Sequence, residues 1–314
     1  MQRKIFTGPS ASSQFGSTVS NAGDLNGDGY DDIIVGAYGY TSFTGRVYIY
    51  FGGIIMNTTP DLILTGETTS NFFGWCVSGA GDVNADGYDD VIIGADGYGL
   101  DKGRAYVYFG GPVMNNTPDM IMTGKTNGNR FATSVSNAGD INGDGYSDVI
   151  LGELNFNSNR GRAYVYYGGI SPDTIADLTI TGEAVNNYFG ISVSEAGDVN
   201  GDGFSDVIAG AYGYSTSTGK AYIYFGGISM NNISDVTMTG EATSNYFGVS
   251  VSEAGDVNGD GFSDFIAGAY GYSTSTGKAY IYFGSVSPDN SPDVTMTGET
   301  TNSQLEYRFH LPEI

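Results

Sequence analysis

The chain has almost no thiol or imidazole chemistry at its disposal. Its 314 residues include one cysteine, Cys76, and one histidine, His310. A single cysteine excludes an intrachain disulfide framework and a cysteine-based zinc site. A single histidine removes most histidine-dependent catalysis and metal chemistry. Positive charge is also scarce: 12 lysines and arginines face 35 aspartates and glutamates, for a net charge of −23. Such a chain repels phosphates, so nucleic acid and anionic membrane surfaces are excluded as partners. No apolar run approaches the roughly 18 residues of a spanning helix. Met1-Gln2-Arg3-Lys4 looks like a basic leader, but Ile5-Phe6-Thr7-Gly8 cuts the apolar stretch short. Any secretion signal is therefore expected outside this sequence. Prolines number only eight, whereas glycine (50), tyrosine (24) and phenylalanine (17) are abundant. With 40% hydrophobic residues the chain can build a core and is no disordered acidic tail.

The abundance is organised as a repeat. Asp24-Leu-Asn-Gly-Asp-Gly-Tyr-Asp-Asp32 recurs, with small changes, from Asp82, Asp140, Asp198 and Asp256, each 58 residues after the last. A period kept without insertion implies stacked or radial units of one shape. The fourth unit shows the pattern. Phe189–Ser194 alternates and runs to Gly197, giving strand A. After the acidic loop, Asp206–Ala211 is short and apolar, the mark of a buried strand B. Lys220–Gly226 is rich in aromatic and β-branched residues, giving strand C, and Asp235–Gly240 alternates again, giving strand D. Nothing carries a helical period, so helix content is expected near zero.

Four short antiparallel strands per unit predict an all-β fold, a β-propeller of four-stranded blades. A β-helix repeat is much shorter, and a separate β-sandwich domain is longer. Five blades fit the count, and part of a larger ring, for example seven-bladed, is the alternative. The expected organisation is one propeller over 1–298, with repeats at about 15–66, 73–124, 131–182, 189–240 and 247–298. A closing strand is expected at 3–8, and 299–314 is a tail or the start of a further segment.

The acidic loops place oxygen ligands at alternate positions. In the first loop these are Asp24, Asn26 and Asp28, the backbone carbonyl of Tyr30, and Asp32. The second offers Asp82, Asn84, Asp86, Tyr88 and Asp90, and the third Asp140, Asn142, Asp144, Tyr146 and Asp148. The fourth offers Asp198, Asn200, Asp202, Phe204 and Asp206, and the fifth Asp256, Asn258, Asp260, Phe262 and Asp264. Calcium takes six to eight oxygens at about 2.3–2.6 Å, which this spacing can wrap around one ion per loop. Without a cation, like charges ~4 Å apart cost on the order of 1 kcal/mol per pair in water. An EF-hand would need an acidic residue at position 12, where this chain has Val35, Ile93, Leu151, Ala209 and Ala267. About five calcium ions are therefore expected as the cofactor. The alternative is a metal-free turn, since Asn, Asp and Gly favour turns on their own.

Phe15-Gly16, Phe73-Gly74, Phe189-Gly190 and Phe247-Gly248, with Gly36-Ala37, Gly94-Ala95, Gly210-Ala211 and Gly268-Ala269, flank the loops. Together they resemble the FG-GAP repeat of the integrin α-subunit β-propeller over nearly the whole chain. The proline of the motif is replaced by Tyr38, Asp96, Tyr212 and Tyr270, and the third unit reads Phe131-Ala132 and Gly152-Glu153-Leu154. The resemblance implies extracellular or cell-surface calcium binding and adhesion or ligand recognition.

In an up-and-down blade the A–B and C–D loops share one end, and the B–C and D–A loops the other. The second end carries Tyr38, Tyr40, Tyr98, Tyr212, Tyr214, Tyr270 and Tyr272 among Ser, Thr and Asn. Tyrosine with small polar residues suits a protein- or carbohydrate-binding surface; the same tyrosines could instead pack between blades. Trp75 and Cys76 are expected in the core, Cys76 as an inert thiol. The third-unit stretch Glu153–Arg160 is either drift or an asymmetric contact. Three functions remain open: a calcium-stabilised binding or adhesion module, an accessory domain of a secreted enzyme acting on polysaccharide or lipid, and a structural surface or stalk element. No catalytic set is legible, and Glu67, Glu183, Glu241 and Glu299 recur at one D–A position as a scaffold feature would.

Overall fold

The computed structural model describes residues 4–301. The first blade is β1 (Thr18–Gly23), β2 (Asp32–Ala37), β3 (Arg46–Tyr50) and β4 (Leu62–Thr65). The second is β5 (Cys76–Gly81), β6 (Asp90–Ala95), β7 (Arg104–Tyr108) and β8 (Met120–Thr123). The third is β9 (Phe131–Gly139), β10 (Asp148–Glu153), β11 (Arg162–Tyr166) and β12 (Leu178–Thr181). The fourth is β13 (Val193–Gly197), β14 (Asp206–Ala211), β15 (Lys220–Tyr224) and β16 (Val236–Thr239). The fifth is β17 (Val251–Gly255), β18 (Asp264–Ala269), β19 (Lys278–Tyr282) and β20 (Val294–Thr297). Each group of four forms its own antiparallel sheet in chain order, so the fold is a propeller of five blades.

Strand B lies where the apolar runs predict it, and β6, β10, β14 and β18 are buried along their whole length. Strand A begins later than expected in four of the five units. In the second to fifth units the leading phenylalanine joins blades: Phe73, Phe131, Phe189 and Phe247 form parallel bridges to Gly45, Gly103, Gly161 and Gly219 of the blade before. Each Phe ring then packs edge-on against a strand-C tyrosine of its own blade, as in Phe73–Tyr106 (5.2 Å) and Phe247–Tyr280 (5.2 Å). At the other end of every strand A the register slips by one residue before the acidic loop. The bulge needs positive φ, and Gly23 and its four equivalents supply it at φ 64–69°.

The core lies between blades rather than within them. Val199, Ile208, Ile223 and Met238 of the fourth blade meet Phe247, Phe265, Tyr280 and Tyr282 of the fifth, and the earlier junctions repeat the arrangement. Side chains facing each other across such a gap exclude water and stabilise the fold by about 25 cal/mol per Å² of apolar area.

The closing strand expected at 3–8 is not formed: Lys4–Gly8 belongs to no sheet. The fifth sheet already has its own fourth strand, β20, and Phe6 lies edge-on to Tyr50 of the first blade at 4.6 Å. Residues from 302 onward, including most of the expected tail and His310, lie outside the described residues.

Each B–C connection is one turn of left-handed backbone. Thr41, Ser42 and Phe43 have φ 40°, 56° and 60°, and Ser215, Thr216 and Ser217 have φ 45°, 56° and 62°. L-residues pay about 1–2 kcal/mol each for this hand. The turn is held by hydrogen bonds such as Gly45 N to Tyr40 O (3.1 Å) and Gly219 N to Tyr214 O (3.1 Å). Beyond these turns and a short one at Ala11–Ser13, no helical segment occurs among the described residues.

Candidate metal loops and the opposite aromatic face

The acidic loops close the A–B hairpins at one end of every blade. In the first, Asp24 Oδ1 accepts from the N–H of Gly27 (2.8 Å) and Asp28 (3.0 Å), and Oδ2 from that of Gly29 (2.7 Å). Asn26 Oδ1 accepts from Asp28 N (2.9 Å), and Asp28 Oδ1 from Tyr30 N (3.1 Å). Asp32 ties the loop to the blade: its Oδ2 accepts from Leu25 N (3.0 Å) and its Oδ1 from Gly52 N (2.7 Å), at the start of the C–D connection. Asp90, Asp148, Asp206 and Asp264 repeat both bonds.

These ninth-position aspartates are fully buried. Burial pushes Asp32 up to about 6, and Asp90, Asp148 and Asp206 up to about 7. The two backbone donors oppose the shift, and the loop's own first and fifth carboxylates add to it. Neighbouring loops are also linked: Asp24 N donates to Asp89 Oδ2 (2.7 Å), and Asp89 N to Asp24 O (3.2 Å).

The spacing implies convergent carboxylates, but the structure turns them toward backbone N–H groups. Among the described residues no three carboxylate, cysteine or histidine side chains are grouped as a ready-made metal cage. The donor set nevertheless fits a hard cation. Every candidate ligand is an oxygen, and a carboxylate oxygen that accepts one N–H keeps a second lone pair.

The second loop differs by one residue with a readable cost. Ala85 stands at φ 53° where Gly27, Gly143, Gly201 and Gly259 have φ 75–77°. Those glycines each donate N–H to the first aspartate, a bond the second loop lacks. Ala85→Gly is expected to stabilise the protein by about 0.5 kcal/mol, the left-handed cost less the added freedom of the unfolded chain. Urea unfolding of the two proteins side by side checks this; a destabilised variant contradicts it.

At the opposite end the expected tyrosines divide into two sets. Tyr40, Tyr98, Tyr214 and Tyr272 open the left-handed turns, and each carries the first cation of strand C over its ring. The distances are 3.8 Å for Arg46–Tyr40, 3.6 Å for Arg104–Tyr98, 4.3 Å for Lys220–Tyr214 and 4.8 Å for Lys278–Tyr272. Tyr38, Tyr212 and Tyr270 instead form aromatic rows. Tyr188 stacks on Tyr212 (4.8 Å), Tyr212 leans on Tyr246 (6.1 Å), and Tyr246 stacks on Tyr270 (4.8 Å). Tyr38 meets Trp75 (5.0 Å) and Phe72 (6.2 Å), and Phe43 meets Phe72 (5.3 Å).

Sequence reading missed Phe72, Tyr188 and Tyr246. Their signal was available: each directly precedes a Phe in its unit. Trp75 and Cys76 are half-buried, and Cys76 packs against the core between the second and third blades. Trp75 is drawn out to the aromatic row, and Cys76 Sγ donates to Ala132 O across the junction at 3.3 Å.

The recurring glutamates are scaffold. Glu67 pairs with Arg104 (2.6 Å), Glu183 with Lys220 (2.7 Å) and Glu241 with Lys278 (2.5 Å), each across a blade junction. The third unit substitutes an internal network for this pair: buried Glu153 accepts from Tyr164 Oη (2.5 Å) and Asn129 Nδ2 (2.8 Å). Among the described residues one ion pair has no counterpart in another blade. Asp96, fully buried where other blades have Tyr or Leu, accepts from the Arg130 guanidinium. Arg130 in turn lies over the Trp75 ring at 5.4 Å.

Five four-stranded blades joined side by side, each closing one hairpin with an acidic loop, define a repeat protein of the β-propeller class. The FG-GAP repeat family matches at residues 15–50, 73–108, 131–166, 189–224 and 247–282, and the chain belongs to that family. Integrin alpha-5 of Xenopus laevis is 32% identical over 228 residues, 65% of this chain and 20% of that protein. Integrin alpha-8 of Homo sapiens is 28% identical over 223 residues, with the same coverage of 65% and 20%. Integrin alpha-6 of Gallus gallus is 36% identical over 160 residues, 48% of this chain and 14% of that protein. The chain therefore spans 20% or less of the length of these relatives.

Proposed function

We propose that the chain is a calcium-stabilised extracellular recognition module that binds a protein ligand at its aromatic end. The observation that carries the reading is the separation of roles between the two ends. One end repeats an oxygen-rich loop in every blade. The other gathers Tyr, Phe and Trp from neighbouring blades into rows that differ around the propeller. Large aromatic faces beside Ser, Thr and Asn give contact area at low entropic cost. Between the first and second blades the rows border a hollow of about 430 Å³ lined by Asn71, Phe72, Gly97 and Leu100.

In the loops, Asp24, Asn26, Asp28, the Tyr30 carbonyl and Asp32 would hold one calcium ion, and the equivalent residues of the other loops would hold four more. The ion would supply positive charge among carboxylates that otherwise repel one another. Loops of this kind suit extracellular calcium, where modules bind at roughly 10⁻⁴–10⁻³ M. Similarity to integrin alpha subunits supports adhesion, and the role argued from these residues is binding rather than catalysis.

The test is binding to a panel of immobilised extracellular-matrix glycoproteins in millimolar calcium. The double variant Tyr212→Ala/Tyr246→Ala is expected to weaken the recovered interaction at least about tenfold, as loss of aromatic contacts does. Ile54→Ser, at the loop end, should leave it unchanged. The reverse pattern, with Ile54 required and the tyrosines dispensable, contradicts the proposal.

A further inference from the structure

Three tripeptides of the chain read Asn-X-Ser/Thr with no proline in the middle: Asn57-Thr58-Thr59, Asn115-Asn116-Thr117 and Asn232-Ile233-Ser234. This is the acceptor pattern for asparagine-linked glycosylation, which needs an accessible side chain on a surface loop. All three fall in one place in the fold, the connection between strands C and D of the first, second and fourth blades. The third and fifth blades have Asp173 and Asp289 where the first two have Asn57 and Asn115.

The connection offers the access that an acceptor needs. Between consecutive blades the A strands lie closest, so strand A faces the axis and strand D the rim. The C–D connection therefore emerges at the outer edge of the loop end. Asn57, Asn115 and Asn232 are all exposed. In the first two blades the asparagine folds over its own tripeptide: Asn57 Oδ1 accepts from Thr59 N and Asn115 Oδ1 from Thr117 N, both at 2.7 Å. In the fourth blade Asn231 makes this turn with Ile233 N (2.8 Å), and Asn232 stands beside it. Nδ2 of Asn57, Asn115 and Asn232 makes no hydrogen bond among the described residues. By contrast Asn71, Asn187 and Asn245, toward the aromatic end, are buried and belong to no such tripeptide.

We propose that Asn57, Asn115 and Asn232 carry N-linked glycans. Nδ2 attacks C1 of a sugar whose leaving group is a polyisoprenoid diphosphate. The N–C1 bond forms, the C1–O bond to the diphosphate breaks, and one amide proton passes to a base of the transferring enzyme. Pro60 and Pro118 follow the two threonines and stiffen the chain there, so transfer at Asn57 and Asn115 is incomplete. The sugars project from the rim of the loop end and leave the aromatic end bare. The inference rests on the extracellular reading, because the sugar donor and its transferase belong to the secretory route.

The test is to express residues 1–314 behind a secretion leader in a mammalian cell line. Protein from cells and medium is then treated with peptide-N-glycosidase. The untreated protein should run as a ladder that collapses to one band. Asn57→Gln, Asn115→Gln and Asn232→Gln should each remove one step, and mass spectrometry should find aspartate at the released acceptors. A protein that the glycosidase does not change overturns the inference, and a Gln variant that leaves the ladder intact strikes that site. Glycosylated and enzyme-treated protein should bind a matrix glycoprotein equally well. A glycosylated protein that binds none refutes the recognition reading and leaves the glycan sites standing.

Discussion

In excess EGTA the protein is expected to melt roughly 15 °C lower than in millimolar calcium, with the loss restored by calcium and not by magnesium. The size follows from linkage. At ten times its dissociation constant a ligand stabilises by about 1.4 kcal/mol per site. Five occupied loops would together contribute about 7 kcal/mol, as much as a whole domain's net stability. For a chain of this length each kcal/mol moves the midpoint by about 2 °C. Magnesium fails because it keeps its waters and demands rigid octahedral geometry. The ninth aspartates, buried and bonded to Gly52 and its equivalents, transmit the loop's state to the start of each C–D connection. Loosening the loops therefore loosens the blades. Melting curves that coincide in calcium and chelator would reduce the loops to turns.

Arg130→Ala costs about 3–5 kcal/mol at pH 8, because it leaves the Asp96 carboxylate buried without its partner. Burial already pushes the Asp96 carboxyl up to about 6, against the lowering effect of Arg130. A carboxyl raised in the folded state holds its proton more tightly there than in the unfolded chain. Its contribution is fully present below the unfolded value near 4 and is lost as pH rises through about 6. Removing Arg130 pushes the group up further, so the variant's penalty shrinks as the pH falls to 5. Asp96→Leu/Arg130→Ala should recover most of the loss at pH 8, since Leu154 already fills the equivalent place in the third blade. Denaturant unfolding at pH 5 and pH 8, in calcium throughout, measures all three proteins. Equal penalties at both pH values, or a double variant as weak as the single, would refute this account.

The fold was legible where one physical force dominated. Asp206–Ala211 and its equivalents are continuous apolar runs, and burial on both faces leaves a central strand as the only fit. The acidic loops were legible because the bulge glycine, the turn glycine and the alternating carboxylates recur together. The start of strand A was not, because Phe189-Gly190 looks like alternating strand. Its bond to Gly161 depends on a blade that sequence periodicity does not position. The left-handed turns were also illegible. Thr41-Ser42-Phe43 has no glycine to announce positive φ, and the strain is carried by the surrounding bonds. The tyrosines were found, but their partners were not. Arg46 lies over Tyr40, and Tyr188 reaches Tyr212, only once the turn and the junction exist.

Strand contacts run between consecutive blades, so the molecule is energetically a short line of units rather than a single lump. A unit in the middle is held from both sides and a unit at either end from one. Loss of packing in one of these blades is therefore felt first by the blades against which it packs, and the third has such a neighbour on each side. That blade is also the one in which buried Glu153 replaces the repeating ion pair, so the least repetitive unit is one held from both sides.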